Sequence, residues 1–232
     1  MTSIANNYAK VVSQIDLCCE SAQRNNTDVQ LLAVSKTRPA EQLAQLYEQG
    51  QRHFGENYLQ EALDKQVELT QLPLIWHFIG PIQSNKTRAI SENFDWVHSV
   101  DRLKIARRLS EQRPDHLPPL NICLQVNISN EANKAGCSTS ETLALISEIA
   151  QLPKLKIRGL MAIPKATTDI DEQRVAFTAM SDLLSQCQVQ HSELDTLSMG
   201  MSADIAPAIE HGATIVRVGT ALFGARDYSN KH

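Results

Sequence analysis

The sequence of 232 residues has little of what marks a specialised protein class. Glycine and proline number only nine each, and no Pro/Ser-rich or low-complexity tract interrupts the chain, so no internal linker is expected. Positive charge is not in excess. The 22 Lys and Arg face 26 Asp and Glu, a net −4, which removes the electrostatic footprint of a nucleic-acid binder or an anionic-membrane binder. No apolar run approaches the roughly 20 residues of a bilayer span, and the N-terminus MTSIANNYAK lacks the basic and apolar regions of a secretory signal. The five cysteines are odd in number, form no C-x-x-C pair and include the adjacent Cys18 and Cys19. That usage predicts reduced thiols in a cytoplasmic protein.

What is present is patterned. Ile4, Tyr8, Val11, Ile15 and Cys18 recur at steps of four and three, predicting an amphipathic helix over about 2–22. From residue 29 onward, short β-branched or apolar runs alternate with stretches of helical period. The runs are VQLLAVS (29–35), RHFG (52–55), LIWHFIG (74–80), DWVHSV (95–100), NICLQVN (121–127), IRGLMAI (157–163), LDTLSMG (194–200) and TIVRVG (214–219). Helices are expected between and after them at 40–49, 58–66, 86–91, 102–111, 139–152, 171–187 and 203–211, with Gly50 and Gly212 as stop signals. Ser138 with Glu141 reads as a capping box that starts the helix after the fifth run. Eight strands with intervening helices predict an α/β fold, a (β/α)8 TIM barrel over about 29–228 preceded by one extra helix, in a single domain over 1–232. A doubly wound open sheet is the competing architecture.

In such a barrel the chemistry sits where strands end. Lys36 directly follows the first strand; it is either a solvated lysine opening a loop or a desolvated amine able to hold an aldehyde as a Schiff base. Arg217 stands mid-strand among Ile and Val, and needs an acceptor: a carboxylate in an ion pair, or a ligand atom. LSMGMS and VGTALFG each leave a strand through Gly and hydroxyl residues. Gly200 and Gly219 allow close backbone approach to an anion, while Ser198, Ser202 and Thr220 add donors and the following helix starts add their dipoles. Each is equally readable as an ordinary strand-to-helix turn.

Together, AVSKTRP, HFGENY, WHFIGPIQSNKTRAI, GLMAI, LSMGMS and VRVGTALFGARDY resemble the motifs of the pyridoxal phosphate homeostasis protein family, single-domain relatives of the fold-type III alanine racemases. The resemblance spans 29–228. It implies pyridoxal 5'-phosphate as cofactor, held as a Schiff base on Lys36, with the phosphate on Ser202, Gly219 and Thr220 and on backbone of Gly200 and Met201. Arg217 would face the pyridine nitrogen and keep it unprotonated, and Asn57 and His77 would lie beside the ring. Read from the residues alone, Asn57 equally fits a helix cap and His77 a hydrogen-bonded core histidine. Met161, Met199 and Met201 read as packing.

The family resemblance implies a cytoplasmic carrier, monomeric, that captures and releases the cofactor for dependent apo-enzymes, without established turnover. The alternatives are a pyridoxal-phosphate-dependent racemase or related α-carbon enzyme, and a lysine aldolase. A two-base racemase is poorly provided for, because the only tyrosines are Tyr8, Tyr47, Tyr58 and Tyr228 and the 12 residues from 221 leave no room for a second domain.

Overall fold

The computed structural model describes residues 3–225. Eight parallel strands pair in chain order: β1 (Gln30–Val34), β2 (His53–Glu56), β3 (Ile75–Phe78), β4 (Trp96–Val100), β5 (Leu120–Val126), β6 (Leu155–Ala162), β7 (Thr196–Met201) and β8 (Ile215–Val218). Leu32 of β1 pairs with Arg217 of β8, which closes the barrel. Nine α-helices are described: α1 (Ile4–Ser21), α2 (Ala40–Glu48), α3 (Leu59–Glu68), α4 (Thr87–Asn93), α5 (Leu103–Gln112), α6 (Thr142–Ile149), α7 (Ile170–Gln188), α8 (Ile205–Glu210) and α9 (Thr220–Phe223). None of these helices is long and apolar enough to cross a membrane.

Strand alternation divides the buried residues in two. Residues such as Phe54, Trp76, Phe78, Val97, Leu160, Leu197 and Val216 point outward and form one continuous core with the helices. Leu32, Cys123, Met161 and Ile215 are also buried but stand apart from that core, on the strand faces that fill the barrel. Gly55 must be small because a Cβ there would meet the side chains of Ile79 and Leu32 at 3.1 and 3.3 Å. That crowding shows how little room the interior leaves.

The boundaries follow local chemistry with two corrections. The buried stripe of α1 is Val11, Ile15 and Cys19, while Cys18 is only partly buried, so the stripe drifts by one position at the end of the helix. Ser138 and Glu141 do bond reciprocally, yet α6 begins only at Thr142. The motif closes a turn ahead of the helix, since the same pair of bonds needs only one turn of chain. Gly50 and Gly212 hold positive φ of 103° and 90° just past α2 and α8, as stop residues should.

Candidate functional site

A cavity of about 270 Å³ opens at the C-terminal ends of the strands, lined by Val34, Lys36, Asn57, Ile79, Met161, Ile163, Met201, Ser202, Ala203, Arg217, Gly219 and Thr220. Strands β1, β2, β7 and β8 thus deliver Lys36, Asn57, Ser202, Arg217, Gly219 and Thr220 to one mouth, and β6 adds Met161 and Ile163 to its wall. Asn57 does not cap α3, whose N-cap is Tyr58 without a side-chain bond. Its Oδ1 is instead buried with no hydrogen-bond partner among the described residues. A buried acceptor left open at a cavity wall is costly unless something fills it.

Arg217 is buried and fully employed on its lower side. Nη1 donates to Ser198 O at 2.7 Å and to Ser198 Oγ at 2.8 Å, and Nη2 donates to Ala162 O at 2.8 Å. No carboxylate among the described residues forms an ion pair with it; burial lowers the guanidinium to about 10, against the opposing charge of Asp204. It stays a cation and a pure donor. Three of its roughly five N–H groups are used, so the rest can meet an acceptor in the cavity it lines.

Two expected contributors lie below the mouth. Ser198 is fully buried, and its hydroxyl serves the barrel interior. His77, expected beside the ring, stacks on Trp96 at 5.4 Å and lines a second cavity of about 520 Å³ at the opposite end of the barrel, with His53, Arg158 and Asp195. His77 is thus the hydrogen-bonded core histidine that its apolar strand equally allowed, and position on a strand does not by itself give depth in the barrel.

These residues form a string across the interior. Ser198 Oγ and His98 Nδ1 are 2.9 Å apart, His98 Nε2 and His77 Nδ1 are 2.8 Å apart, and His77 Nε2 and His53 Nδ1 are 2.9 Å apart. A guanidinium can only donate, so Ser198 Oγ accepts from Arg217, while the direction of its bond with His98 Nδ1 is set by the His98 tautomer. A neutral ring that accepts at one nitrogen carries its proton on the other, so the bonds of the string run in one direction and the tautomer of each ring sets that of the next. Burial holds all three histidines below their ordinary value, His77 well below it and His98 at about 3, so the string is neutral.

The anion cup also differs from expectation in part. Gly200 has φ 90°, and a Cβ there would meet Ala208 Cβ at 2.5 Å, so its smallness serves packing against α8. The Met201 N–H is taken by Asp204 Oδ1. Helices α8 and α9 have only six and four residues, so the dipole contribution is slight and the donors that remain are the hydroxyls of Ser202 and Thr220 and the backbone at Gly219. The final part of VRVGTALFGARDY, from 226 on, and with it Tyr228, lies outside the described residues.

The profile for the alanine racemase N-terminal domain matches residues 13–227. A pyridoxal phosphate homeostasis protein of Pseudomonas aeruginosa is 59% identical over 228 residues, 98% of each chain, and one of Escherichia coli is 47% identical over 234 residues, 100% of each. Among solved structures, PipY of Synechococcus elongatus determined with pyridoxal phosphate bound is 41% identical, with a TM-score of 0.83 over 96% of this chain and 100% of that one. An alanine racemase of Corynebacterium glutamicum, 18% identical with a TM-score of 0.67, shares the fold over 99% of this chain and 62% of its own length.

Proposed function

The chain belongs to the family of pyridoxal phosphate homeostasis proteins, built on the alanine racemase N-terminal domain, and from that premise we propose that it binds pyridoxal 5'-phosphate reversibly at the barrel mouth and buffers its supply. One observation carries the reading: Lys36, Asn57, Arg217, Ser202, Gly219 and Thr220 line a single cavity. The residues fit the group, because the unpartnered Asn57 Oδ1 and the spare N–H groups of Arg217 await a polar ligand. When bound, the cofactor supplies a reactive aldehyde on a pyridine ring.

Lys36 would present its amine to the aldehyde, with which an amine condenses by loss of water. Ser202, Thr220 and the Gly219 backbone hold the phosphate, and Ile79, Met161 and Val34 supply the apolar wall. Arg217, a donor anchored from below, would hold the pyridine nitrogen through its spare N–H groups when the cofactor is bound. That nitrogen must then accept, so it stays unprotonated and the ring is a weaker electron sink. This arrangement suits storage better than α-carbon chemistry. In this reading the protein acts as a cytoplasmic monomer that releases the cofactor to dependent apo-enzymes.

The test is the absorption spectrum of the purified protein with pyridoxal phosphate, followed by borohydride reduction and mapping of the labelled residue. Lys36→Ala is expected to abolish the visible absorption while retaining the fold. Label on another lysine, or unchanged absorption in the variant, overturns the assignment.

A further inference from the structure

Behind β1 and β2, on the side away from the cavity, lies a buried charge cluster that the binding reading does not use. Lys65 of α3 is 6% exposed in its side chain and donates to Glu56 Oε1 at 2.7 Å, Glu61 Oε1 at 2.6 Å and Ser35 O at 2.8 Å. All three ammonium protons are thereby used. Ser35 Oγ donates to the same Glu56 oxygen at 2.6 Å, and the Thr37 N–H donates to Glu61 Oε1. Ser35 O belongs to the peptide unit entering Lys36, and the Thr37 N–H belongs to the unit leaving it. Both peptide planes that flank Lys36 are therefore tied to one ammonium–carboxylate cluster.

As a stability device the cluster is poor. Two carboxylates share one ammonium, Glu56 is fully buried, and its Oε2 has no hydrogen-bond partner among the described residues. Such groups are often replaced by apolar ones without loss of stability. The chain is also strained here, since Thr37 has φ 62°, a left-handed conformation unfavourable for a residue branched at Cβ. Buried charge and backbone strain on either side of one reactive amine are explained together if the cluster sets that amine's direction.

We infer that Lys65, with Glu56 and Glu61, is a positioning device for Lys36, clamping both of its flanking peptide units so that its amine meets the cofactor aldehyde. The inference rests on the binding reading above and concerns only the lysine end of the site. Two ligands separate it from general damage: pyridoxal 5'-phosphate, which can bond to Lys36, and pyridoxine 5'-phosphate, which has the ring and phosphate but no aldehyde. In the double variant Glu56→Gln/Lys65→Met, which removes the paired charges together, the rate of borohydride-trappable bond formation should fall at least about tenfold, as small misplacement of a reacting group does. Affinity for pyridoxine 5'-phosphate should be unchanged, and Lys65→Arg alone should retain most of the rate. Glu61→Ala, made at a partly exposed side chain, should slow trapping in the same direction and covers the case in which the double variant fails to fold. Trapping as fast as in the parent protein overturns the inference, and so does an equal loss of both ligands. If the parent itself forms no trappable bond at Lys36, the binding reading fails instead, which is a distinguishable result.

Discussion

Cavities open at both ends of the barrel, and they differ in how their polar groups are employed. At the floor, in about 520 Å³, Arg158 is spent on Asp195, with bonds of 2.9, 3.2 and 2.6 Å, while its guanidinium stacks over Trp96 at 4.7 Å. His53 is bonded to His77, and His77 is spent on His53 and His98. At the mouth, in about 270 Å³, Asn57 keeps a bare oxygen and Arg217 keeps donors to spare. A still larger surface groove, about 780 Å³ lined by α1, α7 and α8, also carries charged side chains, but Arg174 and Glu210 are spent on each other. Size therefore ranks these cavities in the reverse order of their chemistry; a site is where polar groups converge and remain unsatisfied, because satisfied groups have already done their work in folding.

The comparison breaks most visibly if the string is cut. His98→Leu leaves His77 Nδ1 without its partner and Ser198 Oγ with Arg217 alone in a buried interior, so the loss is about 1–3 kcal/mol for the orphaned ring nitrogen plus a smaller amount for the hydroxyl, read in urea unfolding. A loss below about 1 kcal/mol would mean that the string is not structural. Acid sharpens the same point. The histidines are neutral when folded and ordinary when unfolded, so below about pH 6.5 protons bind the unfolded chain first. The stabilisation is present in full above that pH and is lost as pH falls from there through the folded value, which for His98 is about 3. The slope is about 1.4 kcal/mol per pH unit for each such histidine. The checks are unfolding curves between neutrality and acid. A flat profile across that window would place the histidines in contact with water.

Much of this molecule is legible in its sequence. Each of the eight strands is a β-branched or apolar run bounded by turn residues, and each appears in the barrel. Lys36, Ser202, Gly219 and Thr220 follow from the rule that strand ends carry chemistry, Arg217 from a lone charge in an apolar strand and Asn57 from the family resemblance alone, and the mouth gathers all six. Ser198 and His77 do not join them, because a period of two gives the face of a side chain but not its height, and barrel stagger decides which layer it fills. The string itself left a trace: His53, His77 and His98 stand on three successive strands, each on the inward face. The clamp left less, for Glu61 and Lys65 read as an ordinary surface pair at i and i+4. Only the spacing of Lys65 from Ala62, both on the buried face of α3, signals an inward lysine.

The smallest effect belongs to the mouth and gives its rim a measurable signature. Ser202→Ala with Thr220→Val removes two hydroxyls that line the cavity at partly exposed and exposed positions, where neither takes part in the core. Their loss should leave the unfolding midpoint nearly unchanged, within about 0.5 kcal/mol, as surface substitutions do. Water and the Gly219 backbone can take over part of the anion's hydrogen bonding, so the cost in pyridoxal phosphate affinity is about 1–2 kcal/mol, near the low end for bonds to a charged group. Equilibrium dialysis of the variant against the cofactor, run beside the same measurement on His98→Leu, separates the two ends of the barrel. The hydroxyl variant should lose affinity without stability, and the histidine variant should lose mainly stability. If the hydroxyl variant retains full affinity, the phosphate is held elsewhere and the mouth must be redrawn around Lys36 and Arg217 alone.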